Sequence, residues 1–489
     1  MSRSIPKEIF NWINHQPFPA ESGEWFEKYK PADGKLLCRV ARSGVADVKK
    51  AVEAAGKALP LWSEKTAVER GETIRAIALC MADRKSEIAE IVALETGKSK
   101  ADALGETEAA IEMGFFVAGE GRRNYGRTTT ATMAHRTVLT KRMPLGIAAL
   151  IIASNTPIAN VAWKAFPSMF CGNASIMKPS EDTPATASIF GEICRDAGLP
   201  PGVFNLVQGF GSEAGSPLVE SPDVALVSFT GSSDTGRMIQ KTAGERLAKV
   251  CMELGGKNAL VVCDDADPAN AEKWALSSAF SNAGQRCAAA SRVIVFDPIY
   301  DAFRERLVRS TQELKVGIGD DDFLGPVINE NHLKNMLLEV ERAVAGGASI
   351  LVGGYRMDGP GYSGGYYMAP TILENVGADA EISQKELFGP ITILYRVSGF
   401  DEAIALANNS MLGLTSSIHT GSIHRAMEYA DRVEAGVLVI NGGTHGSEPH
   451  MGFGGVKNSG TGWREAGLEA MDVYSDWKYI NIIHDPGKV

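Results

Sequence analysis

From Gly146 onward the chain alternates short, continuous apolar runs with stretches of helical spacing, and this alternation constrains the fold more than any other feature. Strands are expected near 147–152, 174–178, 203–207, 224–229 and 248–252, with helices between them. Apolar runs without polar alternation are buried on both faces, as happens when helices cover both sides of a parallel sheet. A second alternation runs from Ala259 to about Ile440. Its strands are expected near 260–263, 291–296, 391–395, 414–419 and 437–440, and its helices near 268–282, 299–314, 401–408 and 423–433. The fold class that follows is α/β, with two doubly wound domains.

The rest of the chain reads differently. Residues 1–40 are rich in Pro and aromatics and are expected as an irregular surface wrap. Helices are expected over Ser43 to Leu59, about Ala67 to Glu95 (stopped by Gly97), and about Ala103 to Gly119. Segments 126–142 and 473–483 read as extended and belong to neither block, yet carry Val138, Tyr474, Trp477, Ile480 and Ile482. A lone two-stranded ribbon is marginal in water, and its open edge invites another chain. A homodimer or homotetramer is expected.

Charge and cysteine usage remove several classes of function. The formal charge of −10 is spread without acidic or basic blocks, which argues against nucleic acid or an anionic membrane as partner. The longest apolar stretch, about Leu145 to Ala153, is far short of a membrane span. No apolar segment follows Met1 to Pro6, so no signal peptide is read, and a cytoplasmic location is expected. The seven cysteines contain no C-x-x-C pair, and the eight histidines contain no H-E-x-x-H. Reduced thiols and no metal site are expected.

The chemistry gathers where the expected strands end. The five runs of the first block lead into Ser154-Asn155, Lys178-Pro179-Ser180-Glu181, Gly209-Phe210-Gly211, Thr230-Gly231-Ser232 and Glu253. Ligands of open α/β sheets bind outside the carboxyl ends of the strands. Phe229-Thr230-Gly231-Ser232 through Gly236 is a strand, a glycine turn and a helix start, suited either to a phosphate at a helix N-terminus or to a plain tight turn. Lys178 with Glu181 is either a clamp for two ribose hydroxyls or a loop ion pair. Asn155 is either a turn residue or a donor to a developing oxyanion. Glu386-Leu387-Phe388 and the glycine-rich stretch from Phe453 to Gly460 suit either pocket walls or ordinary loops.

Two residues carry most of the argument. Cys287 lies in Gly284-Gln285-Arg286-Cys287-Ala288, and Glu253 lies in Glu253-Leu254-Gly255-Gly256-Lys257. A thiol is strongly nucleophilic once ionised, and a carboxylate can activate the water that later releases what the thiol has captured. Glu253 closes the first block and Cys287 opens the second, which places their chemistry in the cleft between domains.

Six separated motifs in this order resemble the aldehyde dehydrogenase superfamily over essentially the whole chain. The resemblance implies a Rossmann-like cofactor domain (1–121 and 143–253), a catalytic domain (254–457) and a small β oligomerisation arm (122–142 and 458–489). It makes Cys287 the nucleophile, Glu253 the general base and Asn155 the oxyanion donor. Ile152, Ser154, Lys178, Ser180, Glu181, Gly211, Phe229, Thr230, Gly231, Ser232, Gly236, Leu254, Glu386 and Phe388 become cofactor contacts. Trp163, Arg286 and Phe453 become substrate-pocket residues. The implied cofactor is NAD or NADP, with Glu181 favouring NAD, and the implied partner is a small-molecule aldehyde. Where the family often has Pro-Trp-Asn and an aromatic, this chain reads Ala153-Ser154-Asn155-Thr156-Pro157, which opens one wall of the aldehyde tunnel.

The expected reaction is oxidation of an aldehyde to the acid through a Cys287 thiohemiacetal and thioester, with Arg286 and His450 favouring a semialdehyde. The rivals are an aromatic or aliphatic aldehyde substrate with NADP preference, an acylating enzyme passing the thioester to coenzyme A, and a non-catalytic dinucleotide-binding scaffold.

Overall fold

The computed structural model describes residues 5–488. Two seven-stranded sheets organise it. In the first, the spatial order is Lys249–Glu253, Val224–Thr230, Ile147–Ile151, Ala174–Lys178, Phe204–Leu206, Asn11–Ile13 and Gln16–Phe18. The first five strands are parallel, and the last two join antiparallel. The order reverses between Ile147–Ile151 and Val224–Thr230, which opens a crevice at their carboxyl ends.

Why these strands lack polar alternation is visible in where their side chains go. Ala148, Leu150 and Ile152 pack into one core, while Ile147, Ala149 and Ile151 pack into another on the opposite face. Helices on both sides close those cores, and several begin with Pro preset for the first turn, as at Pro157, Pro184 and Pro268.

The second sheet runs Ser349–Val352, Thr371–Glu374, Ile391–Val397, Ala290–Phe296, Asn258–Val262, Thr415–His419 and Val437–Ile440. All its pairings are parallel except that of Ser349–Val352. It too has a core on each face, with Val261 and Ile294 on one side and Leu260 and Val293 on the other. The Arg292 guanidinium, 1% exposed, donates to the carbonyls of Lys257, Leu406, Ala407 and Asn409. That staple fixes the strand following the Glu253–Lys257 stretch.

A third sheet stands apart. Ser475–Ile483 pairs along nine residues with Arg136–Pro144, which also pairs with Thr128–Thr129. Tyr479, Ile482 and Ile483 on it are exposed. No helix among the described residues is long and apolar enough to cross a membrane.

Four expectations need correction. Residues 1–4 lie outside the described residues, and residues 5–40 are not an irregular wrap. They supply strands Glu8–Ile9, Asn11–Ile13, Gln16–Phe18, Trp25–Tyr29 and Leu36–Ala41, with Trp12 and Ile13 buried. The long helix over 67–95 is two, Ala67–Asp83 and Lys85–Thr96, separated at Arg84 (φ −106°), whose side chain pairs with Glu87 and Glu192. Residues 458–474 were expected in the arm, but Ala466, Met471, Val473 and Tyr474 sit in the core of the first sheet. The stretch 315–390, where the apolar pattern predicts no element, holds the helix Glu330–Ala345 and the strands Ser349–Val352 and Thr371–Glu374.

Candidate active site

Strand ends from the first sheet and loops from the second enclose a cavity of about 350 Å³. Cys287, Glu253 and Asn155 all line it, with Trp163, Thr230, Gly231, Ser232, Leu254, Glu386, Phe388 and Phe453. Residues far apart in sequence thus share one chamber because each follows a strand or a helix start at the same edge.

The turn that delivers Cys287 is held from several sides. Asn282, Ala283 and Gly284 take left-handed φ values of 53°, 54° and 65°, a conformation that costs a non-glycine residue roughly 1–2 kcal/mol. The cost is offset by fixed contacts. Asn258 Nδ2 donates to the carbonyls of Cys287 and Ala289 at 2.7 and 2.9 Å, and Thr444 Oγ1 donates to that of Ala288 at 2.6 Å. A Cβ on Gly284 would lie 2.1 Å from the Gly389 carbonyl oxygen, so only glycine fits. Burial, with Glu386 and Glu253 nearby, pushes the Cys287 thiol up to about 12, so it rests as the neutral thiol.

Asn155 is oriented by its neighbours. Its carbonyl accepts from Lys98 Nζ at 2.9 Å and Asn282 Nδ2 at 3.2 Å, and its Oδ1 accepts from Asn160 Nδ2 at 3.3 Å. With Oδ1 engaged, the side-chain amide is left as a donor facing the cavity. Lys98 also pairs with Glu106 at 2.5 Å, and Glu106 accepts from the N–H groups of Ile158 and Ala159 at the start of the helix Pro157–Phe170.

Glu253 is the opposite case. It is 6% exposed, and neither carboxylate oxygen has a hydrogen-bond partner among the described residues. Burial and the Glu465 carboxylate raise its pKa well above the ordinary range, against Lys164 and Arg464. A buried polar group left unsatisfied is costly and in a cleft marks a functional candidate.

Behind Glu253 lies a network that sequence reasoning missed. Lys164 Nζ donates to both oxygens of Glu465, at 2.6 and 2.8 Å, and to Ser228 Oγ at 2.8 Å. His332 also lines the cavity, and its Nε2–H donates to the Phe388 carbonyl at 3.2 Å. One signal for Lys164 existed, a lone charge inside the otherwise apolar helix that carries Trp163. Glu465 and His332 had none.

The remaining expected contacts lie along the same sheet edge. Ile152 is buried at the end of its strand, and its N–H meets the Lys178 carbonyl at 3.2 Å. Ser154 lies in the loop beyond it. Lys178 Nζ and Glu181 Oε2 are 3.4 Å apart, with burial lowering the Lys178 pKa, and Ser180 Oγ accepts from the Asp182 N–H. Gly211 opens the turn Gly211–Gly215. A Cβ on Gly231 would fall 2.4 Å from the Phe229 ring, and one on Gly236 would fall 2.7 Å from Leu254. Ser232 caps the helix Ser233–Glu245. These close approaches keep the backbone of the glycine turn bare of side chains beside a helix start, which fits a dinucleotide pyrophosphate. Glu386 Oε1 accepts from the Gly256 N–H at 3.1 Å, and burial raises its carboxyl to about 7. Trp163 and Phe453 meet edge to face with centroids 5.6 Å apart, forming one wall. Among the expected substrate-pocket residues Trp163, Arg286 and Phe453, Arg286 is the exception. It does not line this cavity but a much smaller one with Lys257, Ser291 and Gly389, because the turn that aims Cys287 inward turns its neighbour away.

Comparison with known proteins agrees with this geometry. The profile of the aldehyde dehydrogenase family matches residues 18–480. An alpha-ketoglutaric semialdehyde dehydrogenase from Bacillus subtilis is 37% identical over 96% of this chain and 97% of its own. An NADP(+) succinate-semialdehyde dehydrogenase from Escherichia coli is 35% identical over 96% and 97%. The crystal structure of betaine aldehyde dehydrogenase from Staphylococcus aureus in complex with NAD+ superposes with a TM-score of 0.95 at 31% identity, over 98% of this chain and 95% of that one. The chain belongs to the aldehyde dehydrogenase family, and it is an oxidoreductase that converts an aldehyde to the carboxylic acid with a nicotinamide dinucleotide as hydride acceptor.

Proposed function

We propose that Cys287 captures the aldehyde, Asn155 holds the oxyanion, and Glu253 activates the water that releases the acid. The observation that carries this reading is that all three share one cavity in which both Glu253 oxygens lack partners. The thiol loses its proton to solvent water before attack, and Glu253 is kept for the later hydrolysis. Addition of sulfur to the carbonyl carbon gives a tetrahedral thiohemiacetal whose O⁻ is met by Asn155 Nδ2. Such a donor typically contributes ~10²–10³ in turnover. The bound nicotinamide accepts the hydride, leaving a thioester on Cys287. Water deprotonated by Glu253 then displaces the sulfur and yields the acid.

The domain boundaries keep the division given above, except that 458–474 joins the cofactor domain and the arm is 122–142 and 475–488. NAD is preferred to NADP, because Glu181 would repel a 2′-phosphate. The chain assembles as a homodimer or homotetramer through the arm, whose exposed Tyr479, Ile482 and Ile483 support this. It works in the cytoplasm.

The relatives' names favour a semialdehyde. A second reading rests on the cavity itself. None of the described residues lining it is Lys or Arg, and Thr156, Ala159, Asn160, Trp163 and Phe453 offer a neutral wall, which favours an uncharged aldehyde. The test is NADH formation from a panel of semialdehydes and neutral aldehydes, ranked by kcat/KM. No NADH from any aldehyde, despite NAD binding, contradicts the proposal.

A further inference from the structure

One segment, 328–332, is tied to three places around the cofactor cleft. The Ile328 N–H donates to Gln285 Oε1 at 2.8 Å, two residues before the nucleophile. Asn329 Nδ2 donates to Asp182 Oδ2 at 3.0 Å, in the loop that carries Lys178 and Glu181. His332, one turn on, donates to the carbonyl of Phe388 in the loop that carries Glu386. Asn329 is also the N-cap of the helix Glu330–Ala345, because its Oδ1 accepts from the His332 N–H at 2.9 Å. Its two side-chain atoms are therefore divided between the helix and the other sheet's loop.

The strain in this arrangement lies at Phe388, a non-glycine residue at φ +56°. Its ring meets the His332 ring edge to face at 6.3 Å, so His332 fixes the residue by ring and carbonyl together. Asp182 has a second tie, to the Lys28 ammonium at 3.6 Å, which settles the loop on the first sheet's side. A charged acceptor makes the Asn329 amide bond one of the stronger single links across the cleft.

We infer that Asn329 is a positioning residue that sets the loop carrying Glu181 and the loop carrying Glu386 at a fixed separation, through Asp182 on one side and His332 on the other. A dinucleotide held by both loops is then presented to Cys287 at one reach. Loss of the link leaves each loop intact and their separation loose. A misplacement of about 1 Å between reacting groups costs on the order of 10²-fold in rate. The inference rests on the cofactor contacts proposed above.

An exchange of the two partners tests it. Asn329→Asp keeps the helix cap but sets a carboxylate against Asp182. Asp182→Asn in the same chain restores a hydrogen bond of opposite polarity. The readouts are the rate of the first NADH turnover at saturating NAD and the binding of AMP, which fills the adenosine-ribose loop alone. The expected result is a first turnover slowed about tenfold or more in Asn329→Asp, AMP affinity within about twofold of the parent, and recovery of most of the rate in the double exchange. An unchanged rate in Asn329→Asp, a double exchange no faster than the single, or AMP binding lost in step with the rate each overturns the inference. Failure of the parent protein to bind AMP would instead sink the cofactor-site proposal.

Discussion

Lys164 grips both oxygens of Glu465 and neither oxygen of Glu253. Two carboxylates thus line one cavity, and the buried Lys164 ammonium is committed to one of them. Glu253 is left with a carboxyl that resists ionisation, and a base that resists ionisation is a strong one when it does ionise. Its lack of partners is a working condition, because a base already salt-bridged would be too weak to deprotonate water.

Glu253→Gln should separate the two halves of the reaction. With NAD and aldehyde in excess, about one NADH per active site should form in a burst, followed by a steady state slower by ~10² or more, the scale of a lost general base. Loss of the burst as well would place Glu253 in thiol activation.

The pH dependence has a definite sign. The Glu253 pKa lies well above the usual carboxylate value because of burial and Glu465. Thioester hydrolysis should therefore fall as pH drops through that raised pKa, and rise towards alkaline pH. Single-turnover deacylation followed against pH checks this, and in Glu253→Gln the residual rate should lose that limb.

Removing the ammonium should be costly for a different reason. Lys164→Met leaves the Glu465 carboxylate buried and unpaired, and breaking such a pair typically costs about 3–5 kcal/mol. Denaturant unfolding should show that loss. The double variant Lys164→Met with Glu465→Leu, which removes both charges, should recover much of it, and an equally unstable double variant would contradict the pairing.

Gly231→Ala should weaken cofactor binding. The added methyl would meet the Phe229 ring, and overpacking of this kind costs about 1–3 kcal/mol. Because the turn faces the cleft, the displacement falls on the bound dinucleotide. KM for NAD should rise about tenfold, and an unchanged KM would mean that the turn lies away from the pyrophosphate.

How much of this was legible follows from where the signals lie in the chain. Cys287 and Glu253 sit in short glycine-bearing stretches at the ends of regular elements, so local sequence carried both. The strand runs were legible because burial on both faces removes polar residues. Lys164 and Glu465 were not, since they are 301 residues apart and meet only after both sheets have formed. The N-terminal strands have two to six residues, too few for any period to emerge. The break at Arg84 lacks Gly or Pro, and beside its local pair with Glu87 it is held by Glu192, 108 residues away, which only tertiary structure brings near. Arg286 was misplaced because adjacency to a nucleophile in sequence says nothing about which side of a left-handed turn a side chain leaves.

The central claim is that the substrate becomes covalently bound to Cys287, and intact-mass measurement tests it most directly. Glu253→Gln protein mixed with NAD and a turned-over aldehyde should gain one acyl group per chain, mapped by proteolysis to the peptide containing Cys287. The adduct should be absent in Cys287→Ala protein and absent without NAD. An acyl group on another residue, or burst formation of NADH with no adduct at all, would contradict the account.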